Sequence, residues 1–152
     1  MNKTVKTKIY TPVDQLTTGQ MERVASFLED HLQQFGDPKS DILNAMKYAM
    51  QLSDSPGGFV LVGYDKEDVV GAVVINRTGM SGYIPENILV YIAVHNDYRG
   101  QGLGKRLMKE ALKFCDGGVA LHVEPDNPAK FLYEKLGFTN KYLEMRYNKE
   151  SA

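Results

Sequence analysis

The residues of this chain best suited to chemistry form a run of glycines. Arg99-Gly100-Gln101-Gly102-Leu103-Gly104 follows an apolar stretch, Ile88 to Val94, and leads into Leu103 to Cys115, where apolar residues recur at helical spacing. It reads as a glycine-rich turn from a buried strand into a helix. Glycines there permit backbone conformations that a Cβ forbids and let a ligand approach the main chain, while the first amides of the helix have no partner inside it. The combination makes an anion site.

Spacing separates this turn from two familiar phosphate loops. A P-loop requires Gly, four residues, then Gly-Lys-Ser/Thr; here Arg99 stands five positions before Gly104, and Lys105 is followed by Arg106. A dinucleotide fingerprint requires glycines at its first, third and sixth positions. Counting from Gly100, the sixth is Lys105, and the turn lies far from the first strand.

A sheet with helices on it must position the turn. Val5 to Tyr10 alternates weakly and ends at Thr11-Pro12, a first strand at or near an edge. Met21, Val24, Ala25, Leu28, Leu32 and Phe35 form a helical stripe, with Thr17 and Gln20 as a capping box and Gly36 as the stop. A second helix starts near Ser40-Asp41, buries Ile42, Ala45, Met46, Ala49 and Met50, and ends before the turn cluster Ser53 to Gly58. Phe59 to Tyr64 and Val69 to Ile75, rich in β-branched residues and joined by Asp65 to Asp68, make an antiparallel hairpin. The loop Asn76 to Pro85 leads into the strand before the glycines, and Val119 to Glu124 is a strand after their helix. Asn127 and Pro128 suit the cap and first position of a last helix, whose Ala129, Leu132, Tyr133 and Leu136 share one face and which Gly137 closes. Tyr142 to Tyr147 alternates and reads as a final strand. A strand, helix and strand over 88 to 124 make a right-handed parallel unit, and the remainder looks antiparallel. The class is α/β or α+β, a mixed sheet with helices on its faces.

At 152 residues the chain is long enough for one domain with a core of its own. Eighteen Lys and Arg against nineteen Asp and Glu leave a net charge of -1, so no overall field draws it to nucleic acid or to an acidic membrane. The single cysteine, Cys115, cannot form an internal disulfide and is expected in the core. Met1 to Lys8 is charged and lacks the apolar centre of a signal peptide, and no apolar run approaches membrane-spanning length. The expected location is cytoplasmic.

Arg99, two residues, Gly102, one residue and Gly104, after Ile92 to Tyr98 and before an amphipathic helix, closely resemble motif A of the GNAT superfamily of acetyl-CoA-dependent N-acetyltransferases. Asp126-Asn-Pro-Ala-Lys-Phe-Leu-Tyr-Glu-Lys-Leu-Gly-Phe138 resembles motif B of the same family, in the right order and at the expected distance. The match covers about residues 59 to 147, and the two N-terminal helices by topology. The resemblance implies a single GNAT domain over 1–152: a mixed, mostly antiparallel twisted sheet of six to seven strands with about four helices on its faces. It implies acetyl-CoA as cosubstrate and an amine acceptor, a small molecule or a peptide or protein; no metal is expected, and a homodimer is left open. The amides of Arg99, Gly100, Gln101, Gly102, Leu103 and Gly104 would hold the CoA pyrophosphate, with Lys105 and Arg106 adding charge or standing solvated. Hydrogen bonds to a charged group contribute roughly 1.5 to 3 kcal/mol each and need no particular side chain. Ile92 and Val94 would meet the cofactor through the strand backbone, which would also supply the oxyanion contact. Asn127 is placed to touch the pantetheine, to cap its helix, or both.

The reaction sets further demands. An amine with a pKa near 10.4 is neutral in about one molecule in 2,500 at pH 7, a barrier contribution of roughly 4 to 5 kcal/mol. A base, or a water chain ending in one, should therefore sit near the acceptor. Two candidates stay open. Glu86 stands close to where the histone acetyltransferases of the family carry a glutamate base. His122 lies on the next strand, where the ribosomal-protein branch has a glutamate, with Glu124 on the same face. The ordinary readings are a hydrogen-bonded structural histidine and a solvated glutamate. A motif B tyrosine in the place of Tyr133 commonly protonates, or hydrogen-bonds to, the departing sulfur. Full transfer from a phenol near pKa 10 to a thiolate near 8.5 is uphill by about 2 kcal/mol, so the hydroxyl should help while charge develops. Asn127 stands six residues before Tyr133, with Asp126 at seven; many members have the asparagine at seven, and six is the spacing of the histone acetyltransferase branch, whose aromatic is often Phe. The acceptor is not readable: Met21, His31, Tyr48, Met50, Met80 and Tyr83 on the acceptor side suit a small molecule and a peptide terminus equally. A CoA-binding sensor or structural module without catalysis is the alternative, needing the glycine turn but neither Tyr133 nor a base.

Overall fold

The computed structural model describes residues 4–149, which form two compact units, one through Leu121 and one from His122. In the first, β1 (Val5–Tyr10), β2 (Gly58–Asp65), β3 (Asp68–Arg77), β4 (Asn87–Val94) and β5 (Val119–Leu121) make one sheet in that spatial order. β1 to β4 pair antiparallel and β5 joins β4 in parallel. β2 and β3 are buried along most of their length because helices cover both faces. On one face α1 (Thr18–Leu32) and α2 (Lys39–Ala49) pack Leu28, Ile42 and Met46 against Val60, Val62, Ala72, Val74, Tyr91 and Ala93. On the other lies α3 (Leu103–Phe114). Gly63 and Gly71 face each other across β2 and β3, and a Cβ on Gly71 would stand 2.5 Å from Leu107 Cδ1, so the glycine makes room for α3 to seat Leu107 on the sheet.

The Thr17–Gln20 capping box starts α1 as expected, with bonds of 2.8 and 3.1 Å. The helix stops earlier than the sequence suggests. It ends at Leu32, Gln33 takes φ 56, and Gln33–Phe35 forms a 3-10 turn before Gly36. A guanidinium from elsewhere in the chain explains the early stop: Arg99 Nη2 donates to the His31 carbonyl at 2.8 Å and satisfies a helix-end acceptor. α2 likewise ends at Ala49, short of Leu52, because Gln51 turns out at φ 57. No described helix is long and apolar enough to cross a membrane.

Among the described residues the sheet has five strands, not six to seven. β5 covers Val119–Leu121 only, and its register with β4 ends at Leu89. At that point β4 carries one residue, Val90, that β3 does not match, between the pairs Val74↔Tyr91 and Ile75↔Leu89. A bulge bends and twists its strand, which carries β4 away from a straight parallel neighbour. The anticipated strand over 142–147 is absent; those residues are exposed and irregular. Alternation marks a segment able to lie half-buried in a sheet, but a strand also needs a ladder partner, and the described part of the second unit contains none. That unit holds α4 (Ala129–Lys135), capped by Ala129 N–H donating to Asn127 Oδ1 at 2.9 Å and closed by Gly137 at φ 103. Pro128 precedes the helix here instead of opening it.

Side chains fix the start of the parallel pair. Glu86 Oε1 accepts from Gly118 N–H at 2.8 Å, and Asn87 Nδ2 donates to the carbonyls of Asp116 and Gly118 at 2.9 and 3.1 Å. Gly117, at φ 96, passes so close that a Cβ would lie 2.6 Å from Glu86 Oε1.

Two glycines offer opposite tests of this packing. A Cβ on Gly58 would stand 2.0 Å from the Ile75 carbonyl oxygen, whereas one on Gly19 meets nothing within 4 Å. In urea denaturation Gly58→Ala should lose about 3 kcal/mol and Gly19→Ala should gain about 0.5 kcal/mol; an unchanged Gly58→Ala midpoint would contradict the β2–β3 register. The Gly118 N–H holds the Glu86 carboxyl below its ordinary value. Its stabilisation is therefore complete above the ordinary carboxylate range and lost as pH falls through the lowered value. Thermal melts should show Glu86→Gln less stable than wild type near neutrality and the two converging in acid; a gap that persists in acid would refute the latch.

Candidate functional site

Gly102 caps α3 in the left-handed conformation, φ 81 and ψ 7, and as a glycine it supplies no side-chain cap. Gly100 is also left-handed, at φ 77. A Cβ on either would meet no protein atom within 4 Å, so the two positions favour glycine for their dihedrals, and the side a Cβ would occupy is open to a ligand. Arg106 N–H donates to the Gly102 carbonyl at 3.0 Å, the first bond of the helix. The amides of Leu103, Gly104 and Lys105 precede that ladder and have no acceptor within the helix. Leu103 is 1% exposed and anchors the turn in the core. The site thus offers main-chain donors at the positive end of a helix dipole.

The segment leading into the glycines is tied to three elements. His95 N–H donates to the Val70 carbonyl of β3 at 2.8 Å, and the Tyr98 hydroxyl donates to the Asp65 carboxylate at the end of β2. Arg99 links α1 to β4, donating through Nη2 to the His31 carbonyl and through Nε to the Val94 carbonyl at 3.2 Å. Its guanidinium is therefore engaged within the protein, and its main chain is what it presents at the turn. Gln101 Nε2 reaches the Asp97 carbonyl at 3.4 Å. Lys105 is exposed, and Arg106 pairs with Glu110 at 3.0 Å.

Ile92 and Val94 pair with Val73 and Gly71 of β3. Beyond Leu89 the register with β5 has ended, so alternate amides and carbonyls of β4 point to the side that β5 has left. Val90 sits at this fork. It packs, like its neighbour Tyr91, against the core beneath α1 and α2, which an undisturbed strand would not allow for consecutive residues. An all-apolar run such as Ile88 to Val94 gives no sign of an extra residue.

Glu86 lies at the opposite end of β4 from the glycine turn, beside a cavity of 330 Å³ lined by Pro56, Arg77, Gly79, Met80, Glu86, Asn87 and Asp116. In the second unit His122 and Glu124 are exposed and follow β5 instead of extending it, so the shared strand face expected for them does not form. Tyr133 is 7% exposed, with its ring 5.9 Å from that of Phe138, and burial raises its phenol. Asn127 spends its side-chain oxygen on the Ala129 amide. Burial pushes the Cys115 thiol up to about 11, against the opposing pull of Arg77, which disfavours the nucleophilic thiolate.

Comparison with known proteins adds a lineage to this geometry. The family model for the acetyltransferase (GNAT) domain matches residues 56–140. The N-alpha-acetyltransferase RimI of Mycobacterium tuberculosis is 38% identical over 86 residues, covering 55% of this chain and 54% of that protein. N-alpha-acetyltransferase 30 of Schizosaccharomyces pombe is 29% identical over 85 residues, covering 53% of this chain and 57% of its own. The chain thus spans about half the length of these two curated relatives. Among solved structures, the aminoglycoside N-acetyltransferase AAC(6')-Iy in complex with CoA superposes with a TM-score of 0.67 at 18% identity over 97% of each chain. The ribosomal-protein-alanine N-acetyltransferase of Brucella melitensis gives 0.63 at 17% identity over 95% of this chain and 99% of that one. With a family match that runs from β2 through the glycine turn and α4, this chain belongs to the GNAT acetyltransferase family.

Proposed function

We propose that this protein is an N-acetyltransferase that moves the acetyl group of acetyl-CoA to a primary amine by direct attack in a ternary complex. The observation that carries the reading is the set of amides of Leu103, Gly104 and Lys105 that precede the first bond of α3, with two left-handed glycines before them and open space beside those glycines. Names of relatives support it: two are N-alpha-acetyltransferases, and the aminoglycoside enzyme was solved with CoA.

In this reading the pyrophosphate lies against those three amides and the turn from Arg99 to Gly102, with Lys105 adding charge. The pantetheine runs along the open edge of β4 and bonds to the main chain near Ile92 and Val94 in the manner of an added strand. Because Asn127 already accepts from Ala129, it is left with its Nδ2 to offer a pantetheine carbonyl. The bulge at Val90 puts a main-chain amide outside the ladder at the fork, where it can meet the oxygen of the thioester as negative charge develops. The amine nitrogen bonds to the acetyl carbon, the carbon–sulfur bond breaks, the nitrogen gives up a proton and the sulfur takes one. Tyr133 donates to the sulfur. Its raised pKa makes full transfer harder than for an ordinary phenol, so it acts as a hydrogen-bond donor during bond breaking. Of the two candidate bases, Glu86 is the poorer: a carboxylate held below its ordinary value keeps a proton badly. His122 or a water takes the ammonium proton. The enzyme works as a cytoplasmic acyltransferase without a metal.

Calorimetry should show CoA binding to wild type and a roughly 10²-fold or greater loss in Gly102→Val, the equivalent of one or two charged hydrogen bonds; unchanged affinity would sink the donor assignment. With an accepted amine, Tyr133→Phe should lower kcat by about 10²-fold while leaving CoA affinity intact. CoA binding with no thiol release across a broad amine panel would mark a binding module instead of an enzyme.

A further inference from the structure

The glycine turn is backed by a cluster of rings that none of the steps above uses. His31, in the last turn of α1, faces His95 at the end of β4 with ring centroids 4.4 Å apart and planes inclined at 39°. Phe27 lies behind His31 at 4.6 Å, and Tyr98 meets His95 edge-on at 5.9 Å. Arg99 ties the same two segments together through the His31 and Val94 carbonyls. His95 Nδ1 accepts from Asp97 N–H at 3.1 Å and so caps the short turn that delivers the chain to Gly100.

A neutral His31 suits this arrangement: its Nδ1 is buried without a partner, so a proton placed there would find no acceptor. The groups facing His31 are Asp30 on its own helix and His95, Asn96 and Arg99 from the segment after β4; the Asp97 carboxylate lies 3.9 Å from His95 Nδ1. Burial first, and then His95, hold His31 below the ordinary imidazole value; Asn96 opposes them, and Arg99 and Asp30 add smaller pulls, down and up respectively.

We propose that the His31–His95 stack is a positioning device for the donor turn, and that protonation of His31 releases it and weakens CoA binding. The proposal rests on the donor reading above. Its sign follows from the disfavoured proton: docking is complete above the ordinary imidazole value of 6.5 and is lost as pH falls from there through the lowered value. A new cation near the turn would by itself attract the pyrophosphate and tighten binding in acid. The direction of the pH dependence therefore separates positioning from simple charge.

Dephospho-CoA is the suitable probe, because without the 3′-phosphate it brings no phosphate ionisation of its own into mild acid. Calorimetric titrations of wild type should show affinity falling several-fold between about pH 7.5 and about pH 5.5. His31→Phe, which keeps the ring contacts and cannot titrate, should bind as wild type does at the upper pH and stay flat. His31→Gln should also stay flat, even if its affinity is lower throughout. Parallel pH profiles for wild type and both variants, or tighter wild-type binding in acid, would overturn the proposal while leaving the donor reading standing. No binding at any pH would overturn both.

Discussion

Arg99 donates to two main-chain carbonyls, one at the end of α1 and one at the end of β4. Those carbonyls belong to residues far apart in the chain, His31 and Val94, and the guanidinium makes them neighbours. Much else follows from this bridge. α1 can stop at Leu32 with a non-glycine residue at positive φ behind it, because a charged donor has taken a helix-end acceptor and the negative end of the dipole is compensated. The segment from His95 to Arg99 is pinned to α1, β2 and β3 at once, so the two glycines start from a fixed point. A turn that binds an anion through main-chain amides has to hold them in place before the ligand arrives, since ordering them on binding would consume affinity.

β4 divides its length between structure and chemistry. Asn87–Leu89 form the parallel ladder with β5, reinforced by Glu86 and Asn87. Beyond them the bulge at Val90 and the end of β5 leave one edge of the strand to other partners, and the chain then runs straight into the glycine turn. An open strand edge leading to an open helix end is a continuous track of main-chain donors and acceptors, which in the proposed function meets first the amides and then the phosphates of CoA. The specificity of such a track lies in backbone shape, which is why the turn tolerates an exposed Gln101 and requires glycine at 100 and 102.

Much of this was legible in the residues. The glycine turn, the helix after it, the hairpin of β2 and β3, and the Thr17–Gln20 cap all depend on contacts close in sequence, and all formed where the pattern placed them. The misses depend on distant or absent partners. The end of α1 is set by a residue 68 positions away. Val90 is hidden in an apolar run because a bulge changes the count of paired residues and not their type. Tyr142 to Tyr147 has the alternation of a strand, but alternation says nothing about whether a neighbour is there to pair with. For the site, residue types picked out the glycine turn, while the engagement of Glu86 by Gly118 and of Arg99 by two carbonyls depends on contacts between distant segments: side chains suited to chemistry were serving the fold.

A crystal structure of the protein with CoA bound tests the central claim most directly. Pyrophosphate oxygens should lie at hydrogen-bond distance, about 2.7 to 3.2 Å, from the amides of Leu103, Gly104 and Lys105, with Gly100 and Gly102 still left-handed. Pyrophosphate density elsewhere, with those three amides facing water, would contradict it.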